Sequence, residues 1–275
     1  MLDTHTLGLP QITAVQEGYV QRVVETVNDL DNMLFEIANE TGAYSTAWQY
    51  HLTEFISNIE SGMGFQHPVG MTFQQAHHDR GTNQTLFDSP ADWISPNAEG
   101  GYRDDPPAAD GSKVVLTDTD HQWGLGCQPG WVWKSFTRGL NPILMDPVEP
   151  FPGIDEHPQW GPINQPDHPL WEPLRKQMGD ARRYAQDLDL NCVVPRGDLA
   201  STGYCLAHPG HAYLAYLPEA GEVTVDLSEA RGTLDIEWFD ILTNAVAVCS
   251  TTIGGSHQTF TSPCAGESAL YISSQ

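Results

Sequence analysis

Three segments of this chain end an apolar run on acid. LFEIANE (34–40) closes on Glu40, KVVLTDTDH (113–121) carries Asp118 and Asp120, and NPILMD (141–146) closes on Asp146. A strand with one wet face alternates apolar and polar residues, whereas a strand buried on both faces stays apolar along its length. A buried parallel strand that delivers a carboxylate at its C-terminal end has this pattern. In α/β barrels such strand ends carry the chemistry. The expectation is a parallel sheet, buried on both faces, with acid along its C-terminal rim.

Helical periodicity falls between these runs. Over 14–30, Val15, Tyr19, Val23 and Val27 recur every four residues with Val20 and Val24 beside them. Over 46–61, Trp48, Leu52, Phe55, Ile56 and Ile59 mark one helix face, and Gly62 and Gly64 end it. Short apolar stretches at 68–73 and 91–95 predict strands, 97–112 predicts a surface loop, and 131–138 and 169–188 predict helices. Alternation of this kind argues for βα units and a parallel sheet. From Thr202 the texture changes to about six short alternating strands separated by turns, a small all-β unit. The boundary falls at 195–201, which divides the chain into 1–195 and 200–275.

The 36 acidic residues outweigh 12 basic ones, a formal charge of −24. Nothing resembles the basic stripe that phosphate contacts require, so nucleic acid and anionic membrane surfaces are poor partners. No run of 18 apolar residues is present to span a bilayer. MLDTHTLGLP lacks the basic and apolar regions of a signal peptide. The five cysteines have no C-x-x-C spacing. Cys249 and Cys264 can pair if the protein is exported; the plainer reading is small buried thiols.

Asn39-Glu40 is the sharpest chemical feature. A carboxylic acid at a barrel rim acts as general acid when its surroundings raise its pKa, and an adjacent amide can bond a sugar hydroxyl. A structural salt bridge is the plainer reading. Asn39-Glu40-Thr41 is also a glycosylation sequon, and a buried strand end would make it a poor acceptor. Period-two alternation puts Asp118 and Asp120 on one side of their strand. Two carboxylates flanking a bond are the minimum equipment for glycoside hydrolysis, although an Asp here can equally cap the next helix. His121 beside the acid pair is a candidate pocket residue; His51, His67, His77 and His78 read as loop residues. Trp48, Trp93 and Trp123 sit on candidate rim segments, where aromatic faces suit sugar stacking. No metal-ligand spacing, P-loop, GxGxxG or GxSxG occurs, so no metal or organic cofactor is expected.

DNMLFEIANE, HPVGMTF, ADWISPN, KVVLTDTDHQWG and WVWKSFTRGLNPILMDP together resemble the apiosidase-like family of glycoside hydrolases. The stretch PRGDLASTGYCLAHPGHAYLAYLPEAGEVTVDLS resembles the β domain, named for collagen binding, that often follows such barrels. The resemblance implies strands four to eight of a (β/α)8 TIM barrel over 1–195, then a β-sandwich over 200–275. It places Asn39-Glu40 at the end of strand four, making Glu40 the acid/base. Leu116-Thr117-Asp118 falls at strand seven, making Asp118 the nucleophile and Asp120 the fallback. Asp118 stands where the clan usually has Glu, and the usual Trp-aromatic-Asp-Pro-Arg corner is here Trp238-Phe239-Asp240-Ile241-Leu242. Retaining chemistry implies carboxyls roughly 5–5.5 Å apart.

The implied partner is a polysaccharide or oligosaccharide, and no cofactor is implied. A non-catalytic carbohydrate- or matrix-binding protein is the alternative. Because strands one to three have no counterpart before LFEIANE, the resemblance also implies an N-terminally truncated chain. The longer protein would be secreted or periplasmic. The piece itself would be inactive and prone to self-association through open barrel edges at Leu34, Phe35 and Ile37 and at Ile143, Leu144 and Met145.

Overall fold

The computed structural model describes residues 3–75 and 79–274; His77 and His78 lie outside them. Contacts divide the chain into two compact units, 1–99 with 110–116, and 100–109 with 117–275.

The first unit starts with α1 (Pro10–Val27), whose proline occupies the first turn, where its missing N–H costs nothing. The helix is where the periodicity places it, but its inner face is rotated. Val24 is fully buried, whereas Val15 and Tyr19 are 69% and 71% exposed. Repeating every four residues, the predicted stripe holds more apolar residues than the contact with one neighbour covers. Strand β1 (Phe35–Glu36) is followed by α2 (Thr46–Glu60), β2 (Val69–Thr72), α3 (Asn83–Phe87) and β3 (Trp93–Ser95). On α2, Trp48, Leu52 and Ile56 are buried at four-residue spacing, and Val24, Ile56 and Val69 form the local core.

Strand β4 (Val114–Asp118) begins in this unit and ends in the second. Parallel registers Phe35↔Val69, Gly70↔Trp93 and Trp93↔Val114 give the order β1-β2-β3-β4. The C-terminal ends of these strands therefore leave the sheet on one side. The central strands β2 and β3 are buried throughout.

The second unit holds α4 (Thr119–Gln122), α5 (Trp131–Thr137), β5 (Asn141–Ile143) and α6 (Trp171–Asp187). Strand β5 follows β4 in the sheet order. The expectation of burial on both faces fails for the first and last strands of this order. Leu34 is 56% and Ile143 42% exposed, and Glu36 and Asn141 are exposed too. A strand at the end of a sheet has a neighbour on one side only, so less of its surface is covered.

The remaining strands are β6 (Val194–Pro195), β7 (Cys205–His208), β8 (Ala212–Leu217), β9 (Glu222–Asp226), β10 (Thr233–Asp240), β11 (Ala245–Ile253), β12 (His257–Thr261) and β13 (Ser268–Ser274). Seven of them follow Thr202, one more than the alternation suggested. They form a six-stranded sheet, β11-β10-β13-β8-β7-β6, and a two-stranded sheet, β12-β9. Between these sheets lie Val223, Val225, Leu234, Ile236, Trp238, Leu270 and Ile272. The other face of the large sheet shares a second core with α5 and α6: Trp133, Tyr184, Tyr216 and Phe239 meet there. Trp133 lies 5.7 Å from Tyr184 and 6.0 Å from Phe239, ring to ring. All five cysteines are free: Cys249 is exposed on β11 and Cys264 is buried, so the two thiols do not pair.

The unusual corner, Trp238-Phe239-Asp240-Ile241-Leu242, ends β10. Asp240 Oδ1 accepts the N–H groups of Leu242 (2.9 Å) and Thr243 (3.1 Å), closing the turn into β11. No helix among the described residues is long and apolar enough to cross a membrane.

Candidate active site

In the first unit the chain past β1 is fixed by its neighbour. The Thr72 hydroxyl, at the end of β2, donates to Glu36 Oε1 (2.8 Å) and the Ala38 carbonyl (3.3 Å). Asn39 and Glu40 follow, and both are exposed. Exposure removes the burial argument against Asn39 as a glycosylation acceptor. Glu40 has φ +50°; it and Asn244 alone combine a side chain with left-handed backbone among the described residues. For a residue with a Cβ this conformation costs roughly 1–2 kcal/mol, and such strain gathers at functional sites.

The loop after Glu40 is tied to a buried polar network. Gln49 Nε2 donates to Thr41 Oγ1 and Ser45 Oγ, both at 2.8 Å. Gln74 Nε2 donates to Ser45 Oγ (3.2 Å) and Thr46 Oγ1 (3.0 Å). Asp79 accepts the Tyr44 N–H at 2.7 Å. None of these residues is distinguished by sequence. Gln49 and Ser45 are ordinary polar residues, and only their burial reveals their role.

Trp48 and Trp93 are both in the core. The Trp48 indole N–H donates to Gln16 Oε1 on α1 (3.0 Å), and His5 stacks on its ring at 5.0 Å. Trp93 begins β3 with its ring against Gly70 of β2.

In the second unit, Asp118 ends β4 and its Oδ1 accepts the Asp120 N–H (2.9 Å), capping α4. The predicted strand thus stops at Asp118. Asp120 and His121 lie on a helical turn, so period-two alternation does not carry Asp120 to the side of Asp118. Thr119, which starts that turn, accepts the Met145 N–H on its hydroxyl at 2.7 Å. Burial pushes the Asp120 carboxyl up from its usual range; the neighbouring His121 opposes that shift and Asp118 adds to it.

His121 is buried and Trp123 half-buried. Trp123 meets Trp131 edge-on at 5.2 Å, and its carbonyl accepts the Trp160 indole N–H at 2.8 Å. Trp160 in turn stacks on His157 at 4.0 Å. The segment carrying Trp160 is organised by the buried Asn164, which bonds the Phe151 backbone in both directions (2.8 and 3.0 Å). Asp146, three residues past β5 and not at its end, pairs with Arg175 of α6.

Asp118, Asp120, His121 and Trp123 therefore share one strand-to-helix turn. Asn39 and Glu40 lie in the exposed segment after β1, three and four residues past its end. A carboxylate beside a strand end can donate a proton to, or attack, a bound substrate.

No family model matches the sequence, and no curated protein matches it. A solved structure described as a glycoside hydrolase superposes with a TM-score of 0.67 at 13% identity. The match covers 96% of this chain and 69% of that one. The chain has the fold of a glycoside hydrolase. A glycoside hydrolase family 5 structure from Bacteroides vulgatus ATCC 8482 gives a TM-score of 0.64 at 12% identity, over 95% of this chain and 66% of its own. The chain thus spans about two thirds of the length of the structures it resembles.

Proposed function

We propose that this chain belongs to a glycosidase that hydrolyses O-glycosyl bonds in a polysaccharide or its side chains, related to the apiosidase-like enzymes. The observation that carries this reading is Glu40: a carboxylate in left-handed backbone just past a parallel strand of a glycoside hydrolase fold. That conformation is what a position held for chemistry, rather than for stability, would show.

In the proposed mechanism Glu40 protonates the departing glycosidic oxygen while Asp118 attacks the anomeric carbon. The products are a glycosyl-enzyme ester and a free alcohol. Water, deprotonated by Glu40, then releases the sugar with its configuration retained. Capping α4 occupies Oδ1 of Asp118 and leaves Oδ2 for attack. Asp120 is the fallback nucleophile. Asn39, His121 and Trp123 are proposed to contact the sugar; Trp48 and Trp93, expected from sequence to do so, are in the core and are proposed to support the strand ends instead. Residues 200–275 are proposed as a β domain that buttresses the helices through the shared aromatic core. The exposed apolar residues Leu34 and Ile143 are proposed to promote self-association.

A panel of aryl glycosides, aryl apiosides included, tests the reading. Turnover that falls by roughly 10³-fold or more in both Glu40→Gln and Asp118→Asn supports it. Full activity in Asp118→Asn with loss in Asp120→Asn moves the nucleophile by two residues, and an inverted product anomer overturns the mechanism. Saccharide binding without turnover by the wild type would show a binding protein instead.

A further inference from the structure

We infer that β11 is a self-association edge, along which two copies of this chain pair antiparallel. Strand β11 ends the six-stranded sheet and pairs only with β10 among the described residues. At nine residues it is the longest strand of the molecule, and eight of those residues are exposed. Val246, Val248 and Ile253 are 47%, 40% and 61% exposed. A long, uncharged edge rich in β-branched residues presents unpaired N–H and C=O groups, and such an edge templates pairing with another chain.

Proteins usually protect edges of this kind with lysine, proline or an inward charge. Here no Asp, Glu, Lys or Arg occurs between residues 241 and 266. The one protective device is a bulge: Trp238 pairs Val248 while Phe239 pairs Val246, which leaves Ala247 extra. The bulge breaks the ladder at one end, and Val248 to Ile253 keep a regular register against Trp238 to Thr233.

Charge selects the occupant. The chain carries −24, so two copies repel over most of their surfaces. Strand β11 itself brings no charged side chain to the seam; the nearest acids, Asp235 and Glu237, lie one strand back on β10 in register with Thr251 and Cys249. Antiparallel pairing is also self-complementary, because a two-fold axis between Ser250 and Thr251 sets Val248 against Ile253 and Cys249 against Thr252 of the other copy. On this axis all six regular residues of each strand find a partner. This edge shares no residue with the proposed catalytic carboxylates or with the edges at Leu34 and Ile143.

The test is sedimentation velocity of the full chain over a concentration series, alongside hydrogen exchange at low and high concentration. The expected result is a reversible two-copy step with amides in 248–253 becoming protected as concentration rises. Ser250→Lys puts like charges beside the two-fold axis and is expected to weaken that step by roughly tenfold or more, with the circular dichroism unchanged. Thr251→Lys is the second variant should Ser250→Lys misfold, and Leu34→Lys is the control for the other edge. Assembly that is absent in the wild type, or is unchanged in both strand β11 variants, overturns the inference. Loss of assembly in Leu34→Lys, with no concentration-dependent protection at 248–253, does so too.

Discussion

The His67 ring sits 2.6 Å from the Glu60 carboxylate, with both side chains buried. Glu60 Oε2 also accepts the His67 backbone N–H at 2.7 Å, and the other ring nitrogen faces the Leu30 carbonyl at 2.8 Å. Both ring nitrogens thus meet acceptors, an arrangement that favours the doubly protonated imidazole. The hydrogen bond to Glu60 raises the His67 pKa, burial opposes it, and the Leu30 bond adds to it. Removing one partner of a buried pair leaves an uncompensated charge, so His67→Ala should cost about 3–5 kcal/mol in a denaturant titration.

The same pair sets a pH dependence. The folded pKa of His67 lies above its ordinary value of 6.5, so the folded state holds the proton more tightly. The stabilisation is complete below pH 6.5 and is lost as pH rises through the raised folded value. Unfolding midpoints should therefore decline between pH 6.5 and that raised value in the wild type. Glu60→Gln should flatten the decline; a slope that survives the substitution would place its origin elsewhere.

Glu40 should trade stability for its role. Glycine adopts left-handed backbone without a Cβ clash, so Glu40→Gly is expected to raise stability by about 1 kcal/mol while abolishing turnover. Glu40→Gln keeps the strain and should abolish turnover without stabilising. Thermal melts of the two variants, compared with wild type, separate strain from chemistry.

Gly70 and Trp93 should be coupled. A Cβ on Gly70 would lie 1.8 Å from the Trp93 ring on the adjacent strand. Gly70→Ala is expected to cost about 1–3 kcal/mol through overpacking. In a Trp93→Leu background, which removes the ring, the same substitution should cost clearly less. Equal costs in a double-mutant cycle would mean that the ring moves aside freely.

The large β-sheet should not be self-sufficient. Residues 200–275 hold the core between the two sheets almost entirely, yet Tyr204, Tyr216 and Phe239 pack on α5 and α6. Expressed alone, 200–275 should show β-rich circular dichroism but associate and bind a hydrophobic dye through the exposed aromatic face. In the full chain, Trp133→Ala should cost about 3–5 kcal/mol. A monodisperse, dye-silent fragment would make the shared core dispensable.

Helix α2 lay where its apolar spacing put it, from Thr46, and β2, β3, α5 and α6 fell within the stretches read for them. These elements owe their form to local periodicity and to breakers such as Gly62. Other features depended on what lies across the chain. His67 reads as a loop residue because nothing in its neighbourhood announces a buried carboxylate seven positions earlier. Gln49, Gln74 and Asn164 carry no motif at all. Asp120 falls on the side chosen by α4, and α4 begins where Asp118 caps it rather than where the alternating pattern ends.

The apolar runs determined by themselves where strands form and, at Asp118, that a carboxylate ends one of them, because side-chain alternation and turn chemistry are properties of a few consecutive residues; Glu40 and Asp146 fall beyond the ends of β1 and β5. The runs did not determine which strands are interior. LFEIANE and NPILMD are as apolar as a central strand, yet Leu34 and Ile143 face solvent, while β3 is wholly buried. The tertiary structure decides this because burial is set by the neighbours a strand acquires, and sheet order is a relation among distant segments that no single segment encodes.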